Sequence, residues 1–263
     1  MSRGHDVRLK PDTTITRRRL ITTGLSAIAG ASGLAAAAKL AAQYGLIPPD
    51  YGGIYGAGET LTYASQRLLT RRASRAREFS RDQISKVAPI NGGVPSSFDY
   101  RALVTHRFAD WALGVDGLVA KPSSFTLDDL KRMPVTTQIT HQACEEGWSF
   151  IAEWTGVQLS HVLNLVGVSP RAKYVVFFAY DDLWESIDMD DGWHPQTLLA
   201  YGMNGENLPA PHGAPIRLRV PRQLGYKSLK YLAQITVVDS LKDIGQGLGS
   251  ISPELGYSWY AGI

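Results

Sequence analysis

Apolar Trp111, Leu113 and Val115 alternate with Ala112, Gly114 and Asp116, the period of a strand buried on one face. Thr126-Leu-Asp-Asp129 has the layout of a capping box and predicts a short helix that Pro134 stops. Val135 to Ile139 reads as strand, Ser160 to Val166 as a second short helix ended by Gly167, and Tyr174-Val-Val-Phe-Phe178 as a compact buried strand. Ile216, Leu218 and Val220 alternate with Arg217 and Arg219, which puts both arginines on one face, and Ile235-Thr-Val-Val238 predicts the last clear strand. Helices and strands interleave without the regular spacing of βαβ units, and no internal repeat is visible. The fold class expected is therefore α+β, a mixed arrangement in a single domain over residues 87–263.

Residues 39–86 have a different texture. Pro48-Pro49, Gly52-Gly53 and Gly56-Ala57-Gly58 break any regular period, so the segment reads as a linker or N-terminal arm. Within it, Arg67, Arg71, Arg72, Arg75, Arg77 and Arg81 surround Leu68, Leu69 and Phe79. A solvated basic helix or arm is one reading of that cluster; contact with anionic lipid or a membrane subunit is the other.

Residues 1–38 read as an export signal. Thr16-Arg17-Arg18-Arg19-Leu20 precedes a modestly apolar run from Ile21 to Ala38, and Ala36-Ala37-Ala38 supplies small residues for cleavage, which is the twin-arginine layout. Cleavage gives a periplasmic or otherwise exported protein, and retention gives a membrane anchor. The twin-arginine route carries proteins already folded, often around a cofactor. Residues 1–38 hold six Lys/Arg and two Asp/Glu of the chain's 27 and 24, which leaves the remainder with 21 basic and 22 acidic groups. The net charge of +3 thus belongs to the signal and argues against nucleic acid as a partner.

At 44% hydrophobic and 19% charged, the composition is that of a globular protein. No GxGxxG follows a strand, no P-loop occurs, and Gly245-Gln-Gly247-Leu-Gly249 has the wrong spacing for a dinucleotide fingerprint.

Cys144 is the chain's one cysteine, so no disulfide explains it. A buried small side chain, a redox or nucleophilic thiol, and a soft-metal ligand compete for it. It stands in the polar segment His141-Gln-Ala-Cys144-Glu-Glu-Gly-Trp148, and its two adjacent carboxylates work against a free thiolate. A metal holds a thiolate deprotonated by its own charge. With no second cysteine and no HxxxH or HExxH, structural or proteolytic zinc does not fit. What fits is a metal that takes one protein thiolate and its other ligands from elsewhere, as from a dithiolene.

Six blocks in order carry a family resemblance. They are His141 to Trp148, Trp154-Thr-Gly-Val157, Leu198-Leu-Ala-Tyr-Gly-Met-Asn-Gly205, His212-Gly-Ala-Pro-Ile-Arg217-Leu-Arg-Val220, Gly225-Tyr-Lys-Ser-Leu-Lys230 and Gly256 to Ile263. Together they resemble the molybdopterin-binding domain of the sulfite oxidase family, and within it the small exported bacterial members. The resemblance implies a Mo-molybdopterin cofactor with Cys144 as the thiolate ligand to the metal. It also implies that His212, Arg217, Ser228 and Lys230 contact the cofactor, with Asn91 and Asp181 as weaker matches. Residue type agrees: Arg217 and Lys230 offer charge, His212 and Ser228 hydrogen bonds, and Gly213 and Gly225 close backbone approach. For Arg217 taken alone, an exposed strand residue is the plain alternative.

The family's oxidases follow the metal cysteine with arginines that help to bind sulfite. Glu145-Glu146 stand here instead, and carboxylates repel a dianion, so sulfite is a doubtful substrate. With no CxxCH haem motif, electrons are expected to pass through a separate partner, a membrane haem subunit or a soluble cytochrome. Tyr257 and Tyr260 fall where the family places an active-site tyrosine, Tyr257 being the candidate; packing over the domain competes with that role. The expected activity is a two-electron oxygen-atom transfer on a small-molecule substrate. A cofactor-free binding or assembly protein that retains the fold is the alternative, and a thiol redox enzyme using Cys144 directly, without a resolving cysteine, is a third.

Overall fold

The computed structural model describes residues 39, 57–69 and 74–263. The signal expected at 1–38, and Arg71 and Arg72 of the basic cluster, lie outside the described residues. The core is built between two sheets. In the first, β1 (Ala112–Gly117), β2 (Ser123–Thr126), β5 (Tyr174–Ala179), β6 (Trp184–Asp188) and β10 (Leu232–Val238) run in the order β2-β1-β10-β5-β6. Only β1 and β10 pair in parallel, from Gly114↔Gln234 to Gly117↔Val237. In the second sheet, β3 (Val135–Ala143), β4 (Ser149–Gln158), β7 (Leu198–Met203) and β8 (Glu206–Asn207) follow in antiparallel order, and β9 (Arg217–Arg219) also pairs with β7. This is the mixed α+β class expected from the interleaved pattern.

The sheets share one core because each turns an apolar face inward. Trp111, Leu113, Val115, Phe177, Ile235 and Val237 from the first sheet and its flanks join Val157, Leu199 and Leu218 from the second. The alternation at 111–115 is thus a buried face, as its period requires. Helix α2 (Leu127–Arg132) opens on the Thr126–Asp129 capping box, with Asp129 N–H donating to Thr126 Oγ1 at 3.1 Å. Helix α3 (Leu159–Val166) ends on Gly167 in the left-handed conformation and buries Leu159, Val162, Leu163 and Val166 in the same core. Strand β5 has no polar face because it is covered on both sides: Val175 and Phe177 face that core, while Tyr174 and Val176 pack with Tyr63, Leu241, Trp259 and Tyr260.

The second covering layer corrects the solvated reading of Arg67. Helix α1 (Ala57–Leu69) lies inside the segment expected to be a linker or arm, and it buries Tyr63 and Arg67, four residues apart on one face. Arg67 bonds to Asp188, lies 3.6 Å from Asp191 and stacks 4.4 Å over the Tyr260 ring. Arg222 meets Asp191 from the other side at 3.2 Å. Gln66 accepts the Gly262 N–H at 2.6 Å, so the same helix holds the C-terminal tail. Arg67 departed from expectation because the two aspartates that neutralise it stand more than a hundred residues away in sequence.

The charges in this layer do not all behave alike. Burial works against the Asp188 charge, but Arg67 outweighs it and holds that carboxyl below its usual range. Asp191 is pushed up to about 6 by burial and by Asp188, despite the two arginines. His194, 4% exposed, is pushed down to about 4 by burial and then by Arg222 and Arg75.

Two measurements test this layer. Arg67→Ala leaves two buried carboxylates undercompensated and is expected to cost about 3–5 kcal/mol, read from the urea midpoint at pH 7. His194 is neutral in the folded chain while the unfolded chain binds its proton below about 6.5, so its share of stability is whole above that pH and is lost as pH falls toward 4. Asp191 has the opposite sign, favouring the fold at low pH and losing that share as pH rises toward 6. Denaturation of the wild type and of His194→Gln across pH 4–7 isolates the histidine: the wild type is expected to lose more stability on acidification than the variant.

Candidate active site

Strand β3 places polar side chains inward. Gln138, Thr140, Gln142 and Cys144 are all buried, every second residue of one face. The chain then reverses through Glu145-Glu146-Gly147 into β4, with the Cys144 N–H donating to the Trp148 carbonyl at 2.9 Å and the Gly147 N–H to the Cys144 carbonyl at 3.1 Å. The thiol therefore sits at the tip of a two-stranded hairpin. Burial, together with Glu145 and Glu146, pushes it up to about 11, against a contribution in the other direction from the Glu146 N–H. That environment does not make a redox thiolate. Its Sγ lies 3.4 Å from a Glu145 oxygen, 4.0 Å from a Glu146 oxygen and 3.7 Å from Asn91 Nδ2. Trp148 fixes Glu146 by donating its indole N–H at 2.9 Å and stacks on Phe150.

The facing wall comes from β9 and the segment Gly225–Lys230. Arg217 is buried, contrary to the exposed-strand alternative, because β9 has no solvent face: Leu218 enters the core and both arginines lie over Trp154, at 5.1 and 4.5 Å. Arg217 donates to the carbonyls of His212 at 3.0 Å and Ser228 at 2.7 Å. Arg219 donates to Ser228 Oγ at 3.2 Å and to the His141 carbonyl at 3.3 Å, tying this wall to the cysteine strand. Ser228 Oγ also accepts the Val220 N–H at 3.1 Å, so its own proton is left to donate outward. Burial lowers Arg217 to about 10, and burial with the charge of Arg217 lowers Lys230 to about 8. Burial, then Arg217 and Lys230, lower His212 to about 4, so its imidazole is neutral.

These elements enclose a cleft of about 770 Å³. Asn91, Cys144, Asp181, His212, Arg217, Ser228, Lys230 and Tyr257 all line it. Tyr257 is 41% exposed and stacks on Tyr226, whereas Tyr260 lies away from the cleft over Arg67. Two glycines let the walls meet. A Cβ on Gly225 would stand 2.5 Å from Gln142 Nε2 and 3.0 Å from the Ala143 carbonyl, and one on Gly213, at φ +111°, would stand 2.9 Å from Lys230 Cβ.

Sequence reasoning missed Gln142 and Arg219 as site residues. Gln142 was marked by the polar alternation of β3, and Arg219 by its place two residues after Arg217, though neither signal separates a site residue from an exposed one.

The fold and this cleft define a cofactor-binding oxidoreductase domain. The family model of the oxidoreductase molybdopterin-binding domain matches residues 101–243, and the chain belongs to that family. It is 42% identical over 154 residues to the "Putative protein-methionine-sulfoxide reductase subunit YedZ1" of Azospira oryzae, covering 59% of this chain and 56% of that one. It is 36% identical over 159 residues to the protein-methionine-sulfoxide reductase catalytic subunit MsrP of Xanthomonas campestris, covering 54% and 49%. The chain thus matches about half the length of these relatives. Among solved structures it is similar to the sulfane dehydrogenase SoxCD from Paracoccus pantotrophus, with 30% identity, 50% of this chain and 39% of that chain covered, and a TM-score of 0.48.

The residues present fit a molybdopterin. Arg217, buried, and Lys230, half-buried, both line the cleft, and among the described residues neither has a carboxylate within ion-pair distance, so this wall suits an anion such as the pterin phosphate. Asp181 Oδ1 and Gln142 Oε1, both on the cleft, are buried acceptors without a partner, as a pterin amine requires. No group of three or more His, Cys, Asp or Glu that could hold an ion occurs among the described residues, so a metal held by Cys144 would need its further ligands from a non-protein group.

Gly225→Ala tests the close approach of the walls. It is expected to lower stability by about 1–3 kcal/mol through overpacking against β3, and to reduce the molybdenum retained per protein by elemental analysis.

Proposed function

We propose that this chain is an exported reductase in which Cys144 is the thiolate ligand of a Mo-molybdopterin, acting by two-electron oxygen-atom transfer on a neutral sulfoxide. One observation carries the reading: a single cleft sets a buried thiol against Arg217 and Lys230, neither of which has a carboxylate within ion-pair distance among the described residues. When bound, the cofactor supplies a two-electron centre that accepts an oxygen atom. The chain's residues bind and orient it. Arg217 and Lys230 suit its anionic end, Ser228 donates a hydrogen bond, neutral His212 adds a polar contact without charge, and Asp181 and Gln142 accept from the pterin. The overall change is R2SO + 2H⁺ + 2e⁻ → R2S + H2O, with the electrons drawn from an external redox partner, a membrane haem subunit or a soluble cytochrome.

Glu145 and Glu146 support the choice of a neutral substrate. Both lie within 4.0 Å of the sulfur, so a sulfite dianion approaching the metal meets their charge, while a sulfoxide does not. The relatives are named protein-methionine-sulfoxide reductases, which agrees with that class. Tyr257 stands at the cleft as the tyrosine placed to meet substrate. Export by the twin-arginine signal at 1–38 belongs to the same reading, since a cofactor of this kind is inserted before transport.

Protein made with cofactor synthesis intact is expected to carry molybdenum and pterin and to reduce sulfoxides with an artificial donor. Cys144→Ser is expected to lower that activity by at least about 100-fold while the domain stays folded. Wild-type protein without molybdenum would sink the proposal. The doubly neutralised variant Glu145→Gln/Glu146→Gln is expected to lower the KM for sulfite by about tenfold, the equivalent of roughly 1.4 kcal/mol of relieved repulsion, with little change for a sulfoxide.

A further inference from the structure

Residues 87–95 pass along the mouth of the cleft with no backbone–backbone hydrogen bond to the rest of the described residues, and Asn91 and Gly93 are exposed. Two neighbouring side chains hold this loop. Lys230 Nζ donates to the Asn91 carbonyl at 2.6 Å and to Tyr231 Oη at 3.3 Å, and Tyr231 Oη donates in turn to the Gly93 carbonyl at 3.1 Å. Tyr231 is built to do this. Its side chain is fully buried, edge-on to Tyr100 at 5.3 Å, and its carbonyl accepts the Tyr180 N–H at 3.0 Å. Its φ of +56° is in the left-handed region, which a tyrosine adopts only where the surroundings impose it. The loop so held presents Asn91 Nδ2 to Cys144 Sγ at 3.7 Å. The amide nitrogen, not its oxygen, faces the sulfur, the orientation that a thiolate, which only accepts, requires.

We propose that Asn91 is a hydrogen-bond donor to the Cys144 thiolate, and that Tyr231, with Lys230, is a positioning residue that keeps Asn91 there. The inference rests on the reading of Cys144 as the metal's ligand. A hydrogen bond to a ligating sulfur withdraws charge from it, favours the more electron-rich metal state and raises the midpoint potential. The loop therefore sets the driving force of the electron transfer as well as the shape of the cleft mouth.

The test is a redox titration of the bound molybdenum in holoprotein, with variants compared at equal metal content, together with the sulfur-to-metal charge-transfer absorption. Asn91→Ala is expected to move the potential to more negative values, and Tyr231→Phe to move it in the same direction by less. The double variant is expected to go no further than Asn91→Ala, because Tyr231 acts through Asn91. Asn91→Ser, which restores a donor, is expected to recover part of the shift. An unmoved potential in Asn91→Ala overturns the donor role, and a Tyr231→Phe shift that adds in full to that of Asn91→Ala overturns the positioning role. If Tyr231→Phe does not fold, the Asn91→Ala and Asn91→Ser pair decides the donor role, and Tyr100→Leu, which removes the ring that holds Tyr231 edge-on, takes the place of Tyr231→Phe in the additivity comparison. Cys144→Ser separates the two levels. A charge-transfer band that survives it overturns the ligand reading; a band lost there, with potentials unmoved in the loop variants, overturns the loop inference alone.

Discussion

Arg217 and Arg219 project from one face of β9 onto the indole of Trp154, while Leu218 between them fills the core. Burying two guanidinium groups costs a great deal unless their donors and their charge are both met. Most of the donors are met by neutral oxygens, the carbonyls of His212, Ser228 and His141 and the Ser228 hydroxyl, so those segments are drawn around the arginines, while Arg219 Nε is buried without a partner. The charge is not met by any carboxylate in ion-pair reach among the described residues. A wall whose charge is unmet in this way suits an anion, and the rest of the cleft takes its place from that wall.

Opposite stands the β3–β4 hairpin, whose tip delivers Cys144. Arg219 spans the two walls by bonding to the His141 carbonyl, and the missing side chain of Gly225 lets them close to contact distance. The result is a cleft with a polarity: positive along the wall that carries Arg217 and Lys230, and negative beside the sulfur, where Glu145 and Glu146 stand.

Support for this arrangement reaches to the far side of the first sheet. Arg67 from α1 bonds to Asp188 on β6, and Gln66 holds Gly262, so the tail that carries Tyr257 to the cleft is tied down by a helix remote in sequence. Tyr260 fills that anchor, and this is why it and Tyr257, three residues apart, have different surroundings.

Much of this was legible without coordinates. Local patterns marked elements whose signals are local: the alternation at Trp111–Val115, the capping box at Thr126–Asp129 and the stop at Gly167 all concern residues within a few positions of one another. The lone cysteine between a histidine and two glutamates turned the expectation toward a metal with outside ligands, and the ordered blocks pointed to the family. Tertiary structure alone decided what depends on distant partners. Arg67 read as a solvated arginine, and Arg217 taken by itself as an exposed one, because a charge reads as solvated until its burial is seen; aspartates over a hundred residues away enclose the first and an indole covers the second. Gln142, Arg219 and Tyr231 escaped notice for the same reason. Residue type states what a side chain is able to donate or accept, while the fold decides whether water, a neighbour or a cofactor takes up the offer.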